Sequence, residues 1–372
     1  MKEIHIHFGS DENFNTLISG VEQYNTLGDV FEHLNKDKLS ISGVPPRDDP
    51  PMVVDNLIVH TDDYGGIKEW AMLGFSSNIL EDLRLEIHTM WLNNPPTKLY
   101  EDIKKTYTDV VQEHPQKYPD LTIDILKQIS DNYNDSIIGQ PHVVQQILSS
   151  LYSLMNPNRK RPVTLLFLGD SGVGKTETAK FINSHFKGKM VRVQFSMQQT
   201  GDAYKYIFGA GHGEDSLARE LIRRESNVVL LDEFDKVHSS FYNAFYQMFD
   251  EGVFVDKNYT VNVEKCIIIC TSNYSSEDDA EKYLGSPIYS RFSKVIKFGA
   301  IGIEDRIKIA TLNYNSLYSE LSEEDQNLIR NNQVLSFYIE KIQSGYYRNM
   351  RMLKNDIEDA LNYDILKARG IL

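Results

Sequence analysis

The sequence predicts an α/β protein, with a doubly wound parallel sheet over about residues 136–300, a small α+β domain ahead of it and a helical segment behind it. Three observations carry that prediction. The apolar run Val163–Leu168 leads through Gly169-Asp170-Ser171-Gly172-Val173-Gly174-Lys175-Thr176 straight into a helix-forming Glu-Thr-Ala-Lys-Phe-Ile stretch. A second short, β-branched run, within Asn227–Lys236, ends in the carboxylates Asp232 and Glu233. A third, Lys265–Ile269, is closed by Asn273. Short apolar runs bounded by turn residues and separated by helical stretches are what a parallel sheet covered on both faces requires.

The first run has the form Gly-x-x-x-x-Gly-Lys-Thr between a strand and a helix, the context a phosphate cradle needs. Its glycines let backbone N–H groups converge on a β-phosphate, and the helix N-terminus adds a favourable dipole. Lys175 would reach the β- and γ-phosphates and Thr176 would ligate Mg²⁺. Asp170, Ser171, Val173 and Glu177 complete the binding loop with Gly169, Gly172 and Gly174. A glycine-rich turn without a ligand needs neither the lysine nor the hydroxyl. At the end of the second run, Asp232 can hold the metal through water while Glu233 polarises the water that attacks the γ-phosphorus. Nucleotide binding with hydrolysis is therefore predicted, with Mg²⁺ as cofactor.

The second run and the residues after it carry a family likeness. Leu230–His238, then Phe241–Gly252, then Cys266–Asn273, in that order, resemble the AAA+ module of Clp-type unfoldases and disaggregases. The resemblance reaches upstream to Ile137-Ile138-Gly139-Gln140, similar to the segment that packs on the adenine, and downstream to about Leu361. It implies ATP as the nucleotide, with Ile138 at the base. It implies that Asn273 is sensor 1, orienting the attacking water. It makes Arg291 an arginine finger serving the neighbouring subunit's nucleotide, so that full activity needs a homo-oligomeric ring or open helix. It makes Arg351, in Asn349–Asn355, the lid arginine that touches the γ-phosphate, although Arg348 one turn earlier leaves a solvated basic face as the alternative. The helical segment, 301–372, becomes a lid, with Met352, Ile357, Leu361 and Ile365 near one face of a helix over 349–367.

Two departures bear on mechanism. The Gly-aromatic-Val-Gly loop that grips polypeptide in Clp-type motors is replaced here by Gln199–Asp215, in which Tyr204, Tyr206 or Phe208 could stand in, or could form one buried face of a strand. The tripeptide that docks such motors on a barrel peptidase is missing from the module, and Leu73-Gly74-Phe75 has its form only by chance. The resemblance thus implies an ATP-driven remodeller of protein clients. The alternative is a nucleotide-switched assembly protein whose oligomerisation presents the N-terminal domain to an effector.

Composition agrees with a soluble globular chain: 372 residues, 41% hydrophobic and 25% charged, with a formal charge of −14. That charge argues against nucleic acid or an anionic membrane as the main partner, and Arg159-Lys160-Arg161 is too short to reverse it. No run reaches membrane-spanning length and no signal-peptide core opens the chain, so a cytoplasmic protein is expected. Cys266 and Cys270 read as small core residues, and His5 and His7 as a solvated strand face.

Residues 1–94 read as an α+β recognition domain, ubiquitin-like or another small α+β sheet, for a client or effector. Its predicted parts are strands at 2–8, 14–24, 56–60 and 83–91, a helix from Thr26 and a Pro-containing loop at 43–51. Helices at 99–113 and 121–132 make 95–135 a linker.

Overall fold

The computed structural model describes residues 2–35, 50–197, 202–329, 333–347 and 349–372. Two five-stranded sheets organise them, and each is wholly parallel. The first comprises β1 (Glu3–Phe8), β2 (Asn25–Thr26), β3 (Met52–Val59), β4 (Leu85–Asn93) and β5 (Val111–Pro115), in the order β2-β3-β4-β1-β5. Next along the chain come β6 (Val163–Leu168), β7 (Val191–Gln194), β8 (Val228–Asp232), the antiparallel pair β9 (Val253–Val255) and β10 (Thr260–Asn262), then β11 (Ile267–Thr271) and β12 (Lys294–Lys297). The second sheet runs β12-β6-β11-β8-β7. Every residue of β6, β8 and β11 is buried, as three adjacent central strands must be. The predicted doubly wound core is present, and Cys266 and Cys270 lie buried and unpaired within it.

The N-terminal domain departs from the α+β expectation. An all-parallel sheet has no hairpins, so its strands are joined by helical crossovers, unlike a ubiquitin-type sheet. The segment expected to return as a strand at 14–24 instead opens with the helix Asp11–Leu17. Ser10 caps it by accepting from the Asn13 N–H, and Asp11 and Glu12 favour its first turn. That capping signature outweighs the apolar residues behind it. Thr26 and Asp29 cap each other's backbone N–H at the helix Leu27–Asn35, as the sequence suggests. The predicted helix at 99–113 ends at Thr106, and β-branched Val110 and Val111 lead into β5, which pairs with β1. Residues 43–49 of the predicted loop lie outside the described residues.

His5 and His7 are buried rather than solvated, at 8% and 1% exposure, because both faces of β1 are covered. The Nδ1 of His7 lies 2.8 Å from the Asn93 side-chain oxygen, and His5 stacks on Trp91. The lid holds the helices Ile303–Glu320, Glu323–Leu328, Gln333–Gln343 and Met350–Ala368, with no strand among its described residues. In the last helix Ile357, Leu361 and Ile365 face inward as predicted, but Met352 is exposed and Met350 and Leu353 take the inner positions.

The two sheets are joined by charge. Arg219 and Arg223, at the end of the helix Leu217–Ile222, meet Asp62 and Asp11 at the carboxyl ends of β3 and β1. Arg223 Nη1 donates to Asp62 across 3.0 Å, and the Arg219 side chain is only 5% exposed. A backbone bond, Thr97 N–H to Asn258 C=O at 2.8 Å, and the approach of Gly65 to Gly213 complete the seam. Charge-assisted bonds to a buried guanidinium are the strong kind, and breaking them strands the charge. Arg219→Met combined with Arg223→Met should therefore loosen the domains, read as faster tryptic cleavage at the exposed Lys117 between them. An unchanged cleavage rate would show that these arginines do not hold the seam.

Candidate functional site

The cradle forms where β6 ends. Gly169 turns with φ 135°, and a Cβ there would lie 2.7 Å from the Phe298 carbonyl, so only glycine fits. Gly172 is equally constrained, with φ 84° and a Cβ position 2.6 Å from Asn349 Oδ1. Behind them the helix Lys175–Ser184 begins, its N-terminus open to the loop.

Lys175 is buried at the centre. Its ammonium donates to the carbonyls of Gly169 and Asp170, the latter at 2.8 Å, and to Asn273 Oδ1 at 3.2 Å. Burial pulls its pKa down to about 8, while the carboxylates of Asp235, Asp232, Asp170 and Glu233 oppose the fall. The predicted cradle lysine and the predicted sensor asparagine are thus in contact, although 98 residues separate them. Adjacent parallel strands β6 and β11 bring them there.

Asp232 ends β8 with both oxygens engaged. Oδ1 accepts from Thr271 Oγ1 at 2.6 Å and faces Thr176 Oγ1 at 3.4 Å. Oδ2 accepts from Arg192 Nη2 at 2.7 Å. Glu233 follows in a left-handed conformation, φ 56°, which turns its carboxylate away from the strand. Its N–H donates to Thr271 Oγ1 at 2.9 Å, and Gln194 Nε2 approaches its Oε2 at 3.4 Å. Strain at a non-glycine residue of this kind collects at working sites. A hydroxyl beside one carboxylate is a hard-oxygen set suited to Mg²⁺, which keeps waters and takes phosphate oxygens as further ligands. These residues fit the ion.

Thr271, Arg192 and Gln194 contact the predicted carboxylates Asp232 and Glu233, and sequence reasoning missed all three. Thr271 lies just past the apolar run Lys265–Ile269, two residues before Asn273. Arg192 and Gln194 alternate on β7, a short strand whose period-two polar positions were the available signal.

The remaining predicted residues divide. Ile138 is half-buried, and its neighbour Ile137 lies nearest Gly174, 3.8 Å from a Cβ there. Gln140 ties that segment to the cradle through the Val173 carbonyl at 3.2 Å. Asp170, Ser171 and Glu177 lie on the loop and its helix with part of their surface open, and Val173 is buried beneath it. Arg351 stands exposed in the first turn of the lid helix, whose cap Asn349 abuts Gly172. Arg348 is outside the described residues. Arg291 is not brought to the cradle. Its carbonyl accepts from Thr164 Oγ1 at 3.0 Å, near the opposite end of β6, roughly 16 Å away at ~3.3 Å per strand residue.

The gripping-loop candidates sit on a helix, Asp202–Phe208, not on a strand or open loop. Tyr206 is buried and donates to Glu220 at 2.9 Å, Phe208 packs on Phe241, and only Tyr204 is well exposed. Residues 199–201 lie outside the described residues. Phe75 is fully buried, which removes Leu73-Gly74-Phe75 as a docking tripeptide.

With this geometry in place, the comparisons agree. Residues 160–300 match the family described as AAA domain (Cdc48 subfamily). The chain is 26% identical to the ATP-dependent Clp protease ATP-binding subunit ClpC of Staphylococcus aureus over 350 residues, covering 82% of this chain and 40% of that protein. It is 31% identical to the chaperone protein ClpB of Staphylococcus epidermidis over 216 residues, 48% of this chain and 25% of that one. The chain thus spans two fifths or less of these relatives' length.

Two substitutions test the site. Lys175→Ala should weaken nucleotide binding at least about tenfold, since a charge-assisted contact to phosphate is lost. Arg192→Gln should lower the Mg²⁺ concentration for half-maximal nucleotide binding by about two- to tenfold, because Arg192 competes for the carboxylate the ion needs. Fluorescent-nucleotide titrations at graded Mg²⁺ read both, and an unmoved Mg²⁺ midpoint would count against competition by Arg192. Over residues 160–300, accordingly, the chain carries an ATPase domain of the AAA type and resembles the Clp-type AAA+ ATPases.

Proposed function

We propose that the chain hydrolyses ATP as a homo-oligomer and uses that cycle to remodel or unfold protein clients. The observation that supports this reading most is the contact of Lys175 with Asn273 beside the Asp232 and Glu233 carboxylates, since a hydrolytic site needs phosphate, metal and water positions together. Mg²⁺, held by Thr176 and through water by Asp232, would neutralise charge on the phosphates. Lys175 leaves its carbonyl partners to meet the β- and γ-oxygens. Glu233 accepts the proton of the attacking water, and Asn273 orients that water. Arg291 of a neighbouring copy and Arg351 of the lid stabilise the charge that develops on the γ-phosphoryl group. A cytoplasmic location and a client or effector bound through the N-terminal domain belong to the same proposal. Among the described residues no helix is long and apolar enough to cross a membrane.

A second reading, the nucleotide-switched assembly protein, draws support from the Gly209–Asp215 loop. Gly213 is packed against Gly65 of the N-terminal domain, and Arg219 Nη1 holds its carbonyl at 2.9 Å. A loop held this way is poorly placed to grip polypeptide. Glu233→Gln should bind ATP, stop turnover and trap an oligomer visible by mass in solution; undiminished turnover would remove Glu233 from its role. Tyr204→Ala then separates the readings. Loss of client processing with ATPase intact supports threading, and no effect supports the switch.

A further inference from the structure

We propose that Arg159 and Arg161 join Arg291 and Lys294 in a second phosphate-reading site, which receives the triphosphate of the nucleotide held by a second copy of this chain. The inference rests on the oligomeric reading above and adds Arg159, Arg161 and Lys294 to it. Arg291 sits at the end of β6 remote from its own cradle, held by the Thr164 contacts at 3.0 Å and, through Ser293 N–H, 2.9 Å. The start of β6 brings Arg159 and Arg161 to the same end, and together they line a cleft of about 470 Å³.

The chemistry of that cleft is one-sided. Three arginines and a lysine share it with one carboxylate, Asp250, and five serine residues, in a chain whose net charge is −14. Asp250 is committed to Arg291 Nε at 2.7 Å, while the Tyr246 ring lies 4.2 Å below the guanidinium and fixes its plane. Arg159 is braced by the carbonyls of Arg161 and Pro162 at 2.9 and 2.8 Å through Nε and Nη2. Arg161 and Lys294 make no ion pair among the described residues. Like charges gathered in one cleft repel, and a multiply charged anion relieves that cost. Guanidinium forks and hydroxyls are the donor set that matches phosphate oxygens. A polyphosphate fits this set better than a single carboxylate, which would leave most of the cations unmet.

The test uses the full chain. Glu233→Gln with ATP first reports assembly by mass. If no oligomer forms, the oligomeric reading fails and takes this inference with it. Given assembly, Arg161→Gln, whose exposed side chain anchors nothing in the fold, should still bind fluorescent ATP in its own cradle and hydrolyse it about tenfold more slowly, with Arg161→Lys restoring part of the rate. Mixing Arg161→Gln with Lys175→Ala should regain activity that neither has alone, because the second copy supplies the arginine to the first. Assembly with undiminished hydrolysis in Arg161→Gln overturns the inference and leaves the oligomeric reading standing. So does loss of inorganic triphosphate binding in the unassembled variant with normal hydrolysis after assembly, which would assign the cleft to a free polyphosphate.

Discussion

A buried ammonium facing a buried carboxylate at the carboxyl edge of one parallel sheet is the constraint around which this molecule is arranged. Lys175 and Asp232 are 8% and 6% exposed, and neither charge is tolerable there unless surrounded by partners. The fold supplies them from separate strands: carbonyls at the end of β6, Asn273 after β11, Thr271 within β11 and Arg192 on β7. Each partner is an oxygen or nitrogen that phosphate, metal or water can replace. The contacts that satisfy these two charges and the positions that receive a ligand are thus the same.

The same logic joins the domains. In an open parallel sheet the carboxyl ends of the strands form the crevice where ligands collect. In the N-terminal domain that crevice presents Asp11 and Asp62, and the ATPase domain fills it with Arg223 and Arg219. The helix that bears these arginines comes directly after the Gly209–Asp215 loop. The position of the N-terminal domain and the placement of that loop are therefore coupled through one pair of side chains, a physical link between the first domain and the ATPase sheet.

Charge also separates the two ends of the ATPase sheet. Acidic groups gather with Lys175 at the carboxyl end, and Arg291 stands at the other, where Thr164 holds it. Within one chain the two groups stay at opposite ends of β6.

Much of the ATPase core was legible in the sequence because its signals are local. Gly169 to Thr176 must hold glycines, a lysine and a hydroxyl in fixed order, and buried parallel strands leave continuous apolar runs such as Val228–Asp232 that need no partner to be recognised. The last helix of the lid was legible from its apolar periodicity, with the inner face missed by one position, Leu353 for Met352. Sequence alone could not settle anything that depends on which strand lies beside which. The alternation of His5 and His7 is the same string whether one face of β1 is wet or both are dry, and only the covering elements bury them. Asp11–Leu17 is helix rather than strand because Ser10 captures an N–H, a choice made among near-equal local energies. Arg192 and the Arg219–Asp62 pair carry no motif, and Thr271, though within Cys266–Asn273, gives no sign of its carboxylate partner. Their roles arise when parallel pairing and domain docking set residues far apart in sequence within hydrogen-bond reach, and that is a decision of tertiary structure alone.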